Sequence, residues 1–165
     1  MKKEKKTIKE MILNYIYIVS KQPILLRDLL LANRQYKEGM LVDPAKLGFR
    51  LKLTRAYTVY TGIILAILIP LSGLFHKPLA HLDSHISIIG AVLITAVIFI
   101  SFNFFIAKMR DAITIILIKK SWKLHFPFFS YEEYSEKIEE IFERSFKEDI
   151  PKRELEKYIL DNLAE

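Results

Sequence analysis

The chain of 165 residues contains no cysteine and only five glycines. Without cysteine, a disulfide framework, a thiolate metal site and a cysteine nucleophile are all excluded. The scarcity of glycine favours long helices over the tight turns of a sheet-rich fold. Charge is also missing from two long stretches, although charged residues make up 27% of the chain. This uneven distribution argues against a disordered chain and against an independent soluble enzyme.

The two uncharged stretches are residues 56–75 and 86–107, which contain 20 and 22 residues and no His. A helix rises about 1.5 Å per residue, so each stretch can cross the roughly 30 Å hydrocarbon core of a bilayer. We therefore predict transmembrane helices at these positions, joined by a short exoplasmic loop over 76–85. The predicted fold class is all-α: an integral membrane protein with a two-helix transmembrane hairpin and amphipathic cytoplasmic helices at both ends.

Charge asymmetry predicts the orientation. Residues 1–56 carry 13 Lys and Arg against 5 acidic residues, and residues 108–123 carry five against one. Basic residues beside short spans stay on the inner side, so both termini are expected in the cytoplasm of a multi-pass protein of the cell inner (plasma) membrane. The cytoplasmic parts are then a basic helical region over 1–55, a helix extension with an aromatic interfacial segment over 108–130, and an acidic helical tail over 131–165.

The basic region is expected to be helical in three places. Apolar residues at helical spacing near the N-terminus predict an amphipathic helix, whose face either packs on the protein or lies on anionic lipid. That face comprises Ile8, Met11, Ile12, Tyr15 and Val19. A second helix is predicted from Ile24 to about Tyr36, and a third is predicted to run from Ala45 into the first span.

Small and weakly polar residues recur every four positions in both predicted spans. Such rows let two helix backbones approach closely in lipid, where no hydrophobic drive brings helices together. We predict that these rows pack within the hairpin, and contact with another membrane protein is the alternative. The residues are Thr58, Gly62, Ala66 and Pro70 in the first span, and Ser87, Ala91 and Thr95 in the second, where Asn103 continues the row after Phe99.

The predicted loop contains His76, His81, Asp83 and His85. Imidazole and carboxylate groups can bind zinc or copper, but this spacing matches no known ligand motif. Solvated histidines are the favoured interpretation. A metal site and a pH-sensitive contact with a partner remain as alternatives. No cofactor is predicted.

The acidic tail carries an apolar stripe that something must cover. Residues 131–165 contain 12 acidic and 6 basic residues. The tail either folds back on the basic region or docks on a partner through the stripe. Just before the tail, an aromatic group is expected at the membrane interface. The stripe comprises Tyr134, Ile138, Phe142, Tyr158 and Leu163, and the aromatic group comprises Trp122, Phe126, Phe128 and Phe129.

No catalytic signature is present: the chain has no P-loop, dinucleotide fingerprint, Gly-x-Ser-x-Gly or His-Glu-x-x-His sequence. The basic residues gather beside the spans, which predicts anionic lipid head groups rather than nucleic acid as their neighbours. The spans lack the ionisable groups that transporters use.

The leading hypothesis is a non-catalytic membrane-embedded adaptor, assembly factor or accessory subunit of a larger inner-membrane complex, with a membrane protein or a second copy as partner. The alternatives are a small oligomeric transporter or channel subunit and, less favoured, a metal-dependent membrane enzyme using the histidine loop.

Overall fold

A computed structural model of the protein describes residues 7–80 and 84–164, and 75% of the chain is helical. The dominance of helix agrees with the predicted all-α class, although a two-stranded sheet is also present. The elements within the described residues are α1 (Ile8–Ile16), β1 (Tyr17–Val19), α2 (Leu26–Lys37), β2 (Phe49–Leu51), α3 (Leu53–Ala80), α4 (Ser84–His125), α5 (Tyr131–Lys147) and α6 (Leu155–Ala164).

The chain divides into two compact units. The hairpin unit comprises Met1–Ile18 and Leu51–Arg110, and the tail unit comprises Val19–Arg50 and Asp111–Glu165. The chain therefore passes between the units within β1, within β2 and within the long helix α4. Two helices, α3 and α4, are long and apolar enough to cross a membrane by length and composition.

The N-terminal helix is shorter than predicted. It ends at Ile16, and Tyr17–Val19 forms a strand instead of continuing the helix. The Lys52 N–H donates to the Ile16 carbonyl over 2.8 Å, and the Ser20 N–H donates to the Gly48 carbonyl over 2.7 Å. These bonds satisfy backbone groups on either side of β1. A three-residue strand is too short to show the alternating pattern by which strands are predicted.

The predicted helix from Ala45 into the first span is wrong. The Ala45 N–H donates to the Asp43 carboxylate over 2.9 Å, which starts a turn rather than a helix. The turn ends at Gly48, whose φ of +62° disfavours residues with a side chain. A Cβ at Gly48 would also lie 3.1 Å from the Ser20 Cβ. The chain then forms β2, and α3 begins only at Leu53.

The helices that contain the two uncharged stretches are longer than those stretches. α3 continues to Ala80, so residues 76–78 do not break it. Proline removes one backbone N–H and crowds the preceding turn, but it does not always end a helix. α4 runs for 42 residues to His125, and its part beyond residue 107 is the helix extension expected from the sequence.

The core of the tail unit is built from α2, α5, α6 and the last third of α4. Trp122 and Phe126 are each 1% exposed, so their predicted role as interfacial anchors is wrong. The Trp122 Nε1–H finds its partner inside the unit, donating to the Phe129 carbonyl over 2.9 Å. Phe128 is 91% exposed, whereas Trp122 and Phe126 are buried and Phe129 is half-buried. Large fully buried side chains of this core also include Leu29, Leu47, Ile118, Ile138, Ile141, Phe142 and Ile159.

Candidate functional site

The small-residue rows do not lie between the two apolar helices. All eight residues of these rows are exposed in the structure. A Cβ built on Gly62 would meet no atom within 4 Å, so no other backbone lies close to that position. The prediction that these rows pack within the hairpin is therefore corrected: they face outward. The eight residues are Thr58, Gly62, Ala66, Pro70, Ser87, Ala91, Thr95 and Asn103.

An aromatic contact takes the place of the small residues between α3 and α4. The Tyr57 and Phe102 rings stack with their centroids 4.3 Å apart, and Tyr60 meets Phe102 edge-on at 5.1 Å. Phe105 lies 5.5 Å from the Tyr60 ring. Bulky rings hold helix backbones further apart than glycine or alanine would, which explains why the small rows are not used here.

Tyr60 also makes the polar contact between these helices. Its hydroxyl donates to the Ile98 carbonyl over 2.5 Å and lies 2.5 Å from the Ser101 Oγ. Only 8% of Tyr60 is exposed. A tyrosine in this position needs a partner for its hydroxyl, and the carbonyl that Ser101 also contacts provides one. The spacing of Ala56, Tyr60 and the half-buried Ile64 was the signal for the true packing face.

The stripe of the acidic tail is largely covered by the chain itself. Ile138, Phe142 and Leu163 are buried at 0%, 1% and 7% exposure, and Tyr134 and Tyr158 are half-buried. Each large apolar side chain buried in this way stabilises the fold by about 1.5–3 kcal/mol. A partner cannot reach Ile138 or Phe142 while α5 stays in place. The structure thus favours covering of the stripe in cis.

Ion pairs join the acidic helix α5 to basic residues of the same unit. Lys37 Nζ lies 3.0 Å from Glu139, Arg34 lies 3.4 Å from Glu143, and Lys119 Nζ lies 2.6 Å from Glu132. The bond from Lys119 lowers the pKa of the Glu132 carboxyl. The pairs of Arg34 and Lys119 are exposed and contribute little free energy, so they orient α5 while the apolar core stabilises it.

A buried polar contact fixes α5 further. The Tyr131 hydroxyl donates to the Asn33 Oδ1 over 2.8 Å, and Asn33 is 1% exposed. Burial raises the pKa of Tyr131 to about 12, and negative charge from Tyr36, Glu139 and Glu132 adds to the effect. The pKa of Tyr158 is also raised, mainly by its hydrogen bond to Glu148.

Basic and aromatic side chains meet in an open groove of the tail unit. It has a volume of about 760 Å³ and lies between α4 and the segment leading into α5. Lys119, Lys120 and Lys123 line it on one side, with the exposed Phe128 at its rim. Glu132 also lines the groove and pairs with Lys119, so two of the three lysines are left to attract an anionic group.

The histidine loop cannot be assembled into a site from the described residues. His81 and Asp83 lie outside them, as does the side chain of His76. His85 is exposed at the start of α4. Within the described part of the chain, no group of three or more His, Asp or Glu could hold a metal ion. The fourth histidine has a structural contact, since the His125 Nε2 donates to the Ile24 carbonyl over 2.8 Å.

No protein-family model, curated protein or solved structure matches this chain. Function is therefore inferred from the arrangement of its own residues. The relevant features are two apolar helices with exposed rows of small residues, a tail unit whose apolar stripe is covered by the same chain, and a groove lined by basic and aromatic side chains.

Proposed function

We propose that this is a two-span protein of the inner (plasma) membrane that acts as a non-catalytic adaptor, assembly factor or accessory subunit of a larger membrane complex. Both termini lie in the cytoplasm, in line with the concentration of Lys and Arg beside the spans. The observation that carries the proposal is the exposure of the small-residue rows. A close-packing surface that the hairpin itself leaves open suits a helix of a partner or of a second copy.

The apolar surface of the spans supports a membrane location. Ile69 is 65% exposed on α3, and Val92 and Ile100 are each 63% exposed on α4. Side chains of this size are rarely left exposed in a continuous patch on a protein surrounded by water. A bilayer solvates such a surface without cost, because its tails are as apolar as the side chains.

The content of the spans favours an adaptor over a transporter. Residues 56–75 and 86–107 carry no Asp, Glu, Lys, Arg or His, whereas ion and proton pathways usually need such a residue near the midplane. The hydroxyls of Thr58 and Thr95 donate to carbonyls of their own helices, Thr54 and Ala91, over 3.0 and 2.8 Å. These groups are already satisfied and do not need a bound solute.

The test compares two alanines of α4 that are both exposed but lie on different sides of the helix. Ala91 belongs to the small row, and Ala96 does not. Each is replaced by leucine, and the full chain is purified from membranes in mild detergent and analysed by native mass spectrometry. We expect a defined complex for the wild type and for Ala96→Leu, and its loss in Ala91→Leu. The adaptor proposal fails if the wild type is monomeric throughout, or if both variants keep the complex equally.

One observation favours a second candidate, an oligomeric channel or transporter subunit. Asn103 is an exposed amide within the apolar part of α4, where contact with lipid would leave its polar atoms without a partner. An oligomer that turns Asn103 toward a water-filled centre would solve this. Solute flux into liposomes containing the purified protein, altered by Asn103→Leu, is expected only for this candidate.

A further inference from the structure

The helix α1 has two apolar faces, and among the described residues one face is buried and the other is exposed. Leu13 and Ile16 are buried at 1% and 0% exposure. Ile8, Met11 and Tyr15 lie on a second face, with 76%, 59% and 46% of each residue exposed. Their spacing of three and four residues aligns them along one side of the helix. The structure thus leaves uncovered most of the face that the sequence assigned either to protein or to lipid.

The end of α1 is fixed to the start of α3 by Arg55. The guanidinium Nη1 donates to the Tyr15 carbonyl over 3.1 Å, and the same group lies 5.1 Å from the centroid of the Tyr15 ring. Carbonyls in the last turn of a helix lack partners within the helix, and Arg55 supplies one with a favourable charge. Arg55 immediately precedes the uncharged stretch that begins at Ala56. The C-terminal end of α1 is therefore held where an α3 span would enter the bilayer.

Basic residues accompany the exposed face. Lys9 lies on α1, Lys52 directly precedes α3, and Arg55 lies in the first turn of α3. Four more lysines occur in the sequence before Thr7, and the only acidic residue of α1 is Glu10. Each basic group near an anionic membrane surface contributes roughly 1 kcal/mol of attraction. Apolar side chains beside cationic ones are the composition of helices that lie in the membrane interface.

We propose that α1 lies in the headgroup region of an anionic phospholipid leaflet, with Ile8, Met11 and Tyr15 inserted toward the acyl chains. This inference rests on the proposed membrane location of α3. Lipid is favoured over a second copy because three side chains offer far less surface than the ~800 Å² per partner of a stable protein interface. The helix would thus set the depth and tilt of the first span from its inner end.

The absence of native cysteine makes site-specific labelling of the full chain straightforward. Ile8→Cys carries an environment-sensitive fluorophore on the exposed apolar face, and Asn14→Cys carries it at an exposed polar position as the matched control. Ile67→Cys, at an exposed position of α3, reports on the span. Each protein is placed in liposomes of phosphatidylcholine with phosphatidylglycerol, containing lipids with a nitroxide quencher either near the headgroup or deep in the acyl chains.

An interfacial helix sits about 5–10 Å into the headgroup boundary, so the Ile8 label should lose about half its emission to the shallow quencher and little to the deep one. The Asn14 label should lose little to either. Liposomes without phosphatidylglycerol should weaken the quenching at Ile8, because the attraction of the lysines is then lost. Circular dichroism of the labelled proteins checks that the fold is kept.

The outcomes separate this inference from the proposal on which it rests. If the Ile67 label escapes the deep quencher, the membrane location itself is wrong. If Ile67 is quenched but Ile8 behaves like Asn14, only the interfacial role of α1 is overturned. Protection of the Ile8 label that disappears on dilution of the protein in lipid would show contact with a second copy, which also overturns it.

Discussion

At the scale of single residues, the contact between Tyr131 and Asn33 shows how a buried polar group constrains the tail unit. Asn33 is 1% exposed, and the Tyr131 hydroxyl donates to its Oδ1 over 2.8 Å. We expect Tyr131→Phe to lower the free energy of unfolding by about 1–3 kcal/mol, because the Asn33 oxygen is left buried without this donor. Thermal or denaturant unfolding in detergent measures the change.

Tyr134→Phe is the matched control for this variant. Its ring packs edge-on against Phe129 at 5.0 Å, a contact that phenylalanine keeps. A loss of stability in Tyr134→Phe as large as in Tyr131→Phe would contradict a specific role for the Asn33 bond.

We also expect the free energy of unfolding to fall at alkaline pH because of Tyr131. Burial is the main cause that raises the pKa of Tyr131 from 10.0 to about 12. The unfolded chain then releases the proton at lower pH than the folded chain. The contribution of Tyr131 is complete below about pH 10 and is lost as pH rises from 10 through 12. The difference in stability between the wild type and Tyr131→Phe should be constant below pH 10 and should narrow above it. A difference in stability that widens above pH 10 would contradict a raised pKa for Tyr131 in the folded chain.

At the scale of elements, the contact between α3 and α4 depends on Tyr60 rather than on small residues. Tyr60→Phe keeps the rings against Phe102 and Phe105 and removes the bonds to Ile98 and Ser101. Side-chain hydrogen bonds between helices in lipid average about 0.6 kcal/mol, so we expect a loss of that order in unfolding by dodecyl sulfate titration. Tyr57→Phe, whose exposed ring stacks on Phe102, is the control and should be near neutral. Equal losses of stability in Tyr60→Phe and Tyr57→Phe would contradict a specific contribution of the Tyr60 hydroxyl.

Helices could be predicted from the sequence much better than their contacts. The sequence predicts a helix from Ile24 to about Tyr36 and a helical tail from residue 131, and the structure has α2 at Leu26–Lys37 and α5 from Tyr131. The rotation of α3 about its axis does not follow, because lipid tolerates apolar residues on every side. The rows around Gly62 and Ala91 were chosen by size alone, whereas the need of the Tyr60 hydroxyl for a partner selected another face.

The same reasoning explains why Trp122 was misplaced. Tryptophan beside Lys123 and before Pro127 has the composition of a membrane interface. It is also the composition of a helix end whose aromatic side turns inward, where the indole N–H can reach a carbonyl such as that of Phe129. Which of the two occurs depends on how the chain turns after Phe126, a turn that brings the Tyr131 ring edge-on to Trp122 at 5.2 Å. Local pattern cannot supply that contact.

At the scale of the whole molecule, the charge distribution and the two apolar helices predict a topology that can be tested on the cysteine-free chain. Lys77→Cys lies near the end of α3, and Lys123→Cys lies near the end of α4, both at exposed positions. In intact cells, an impermeant maleimide should label Lys77→Cys at once and Lys123→Cys only after the membrane is opened. The physical reason is that Lys and Arg beside short spans resist translocation. The wild type provides the background, since it has no thiol. Labelling of Lys123→Cys in intact cells would show that the predicted orientation is inverted. Recovery of the unlabelled protein as a soluble species in buffer without detergent would show that the proposed membrane location is wrong.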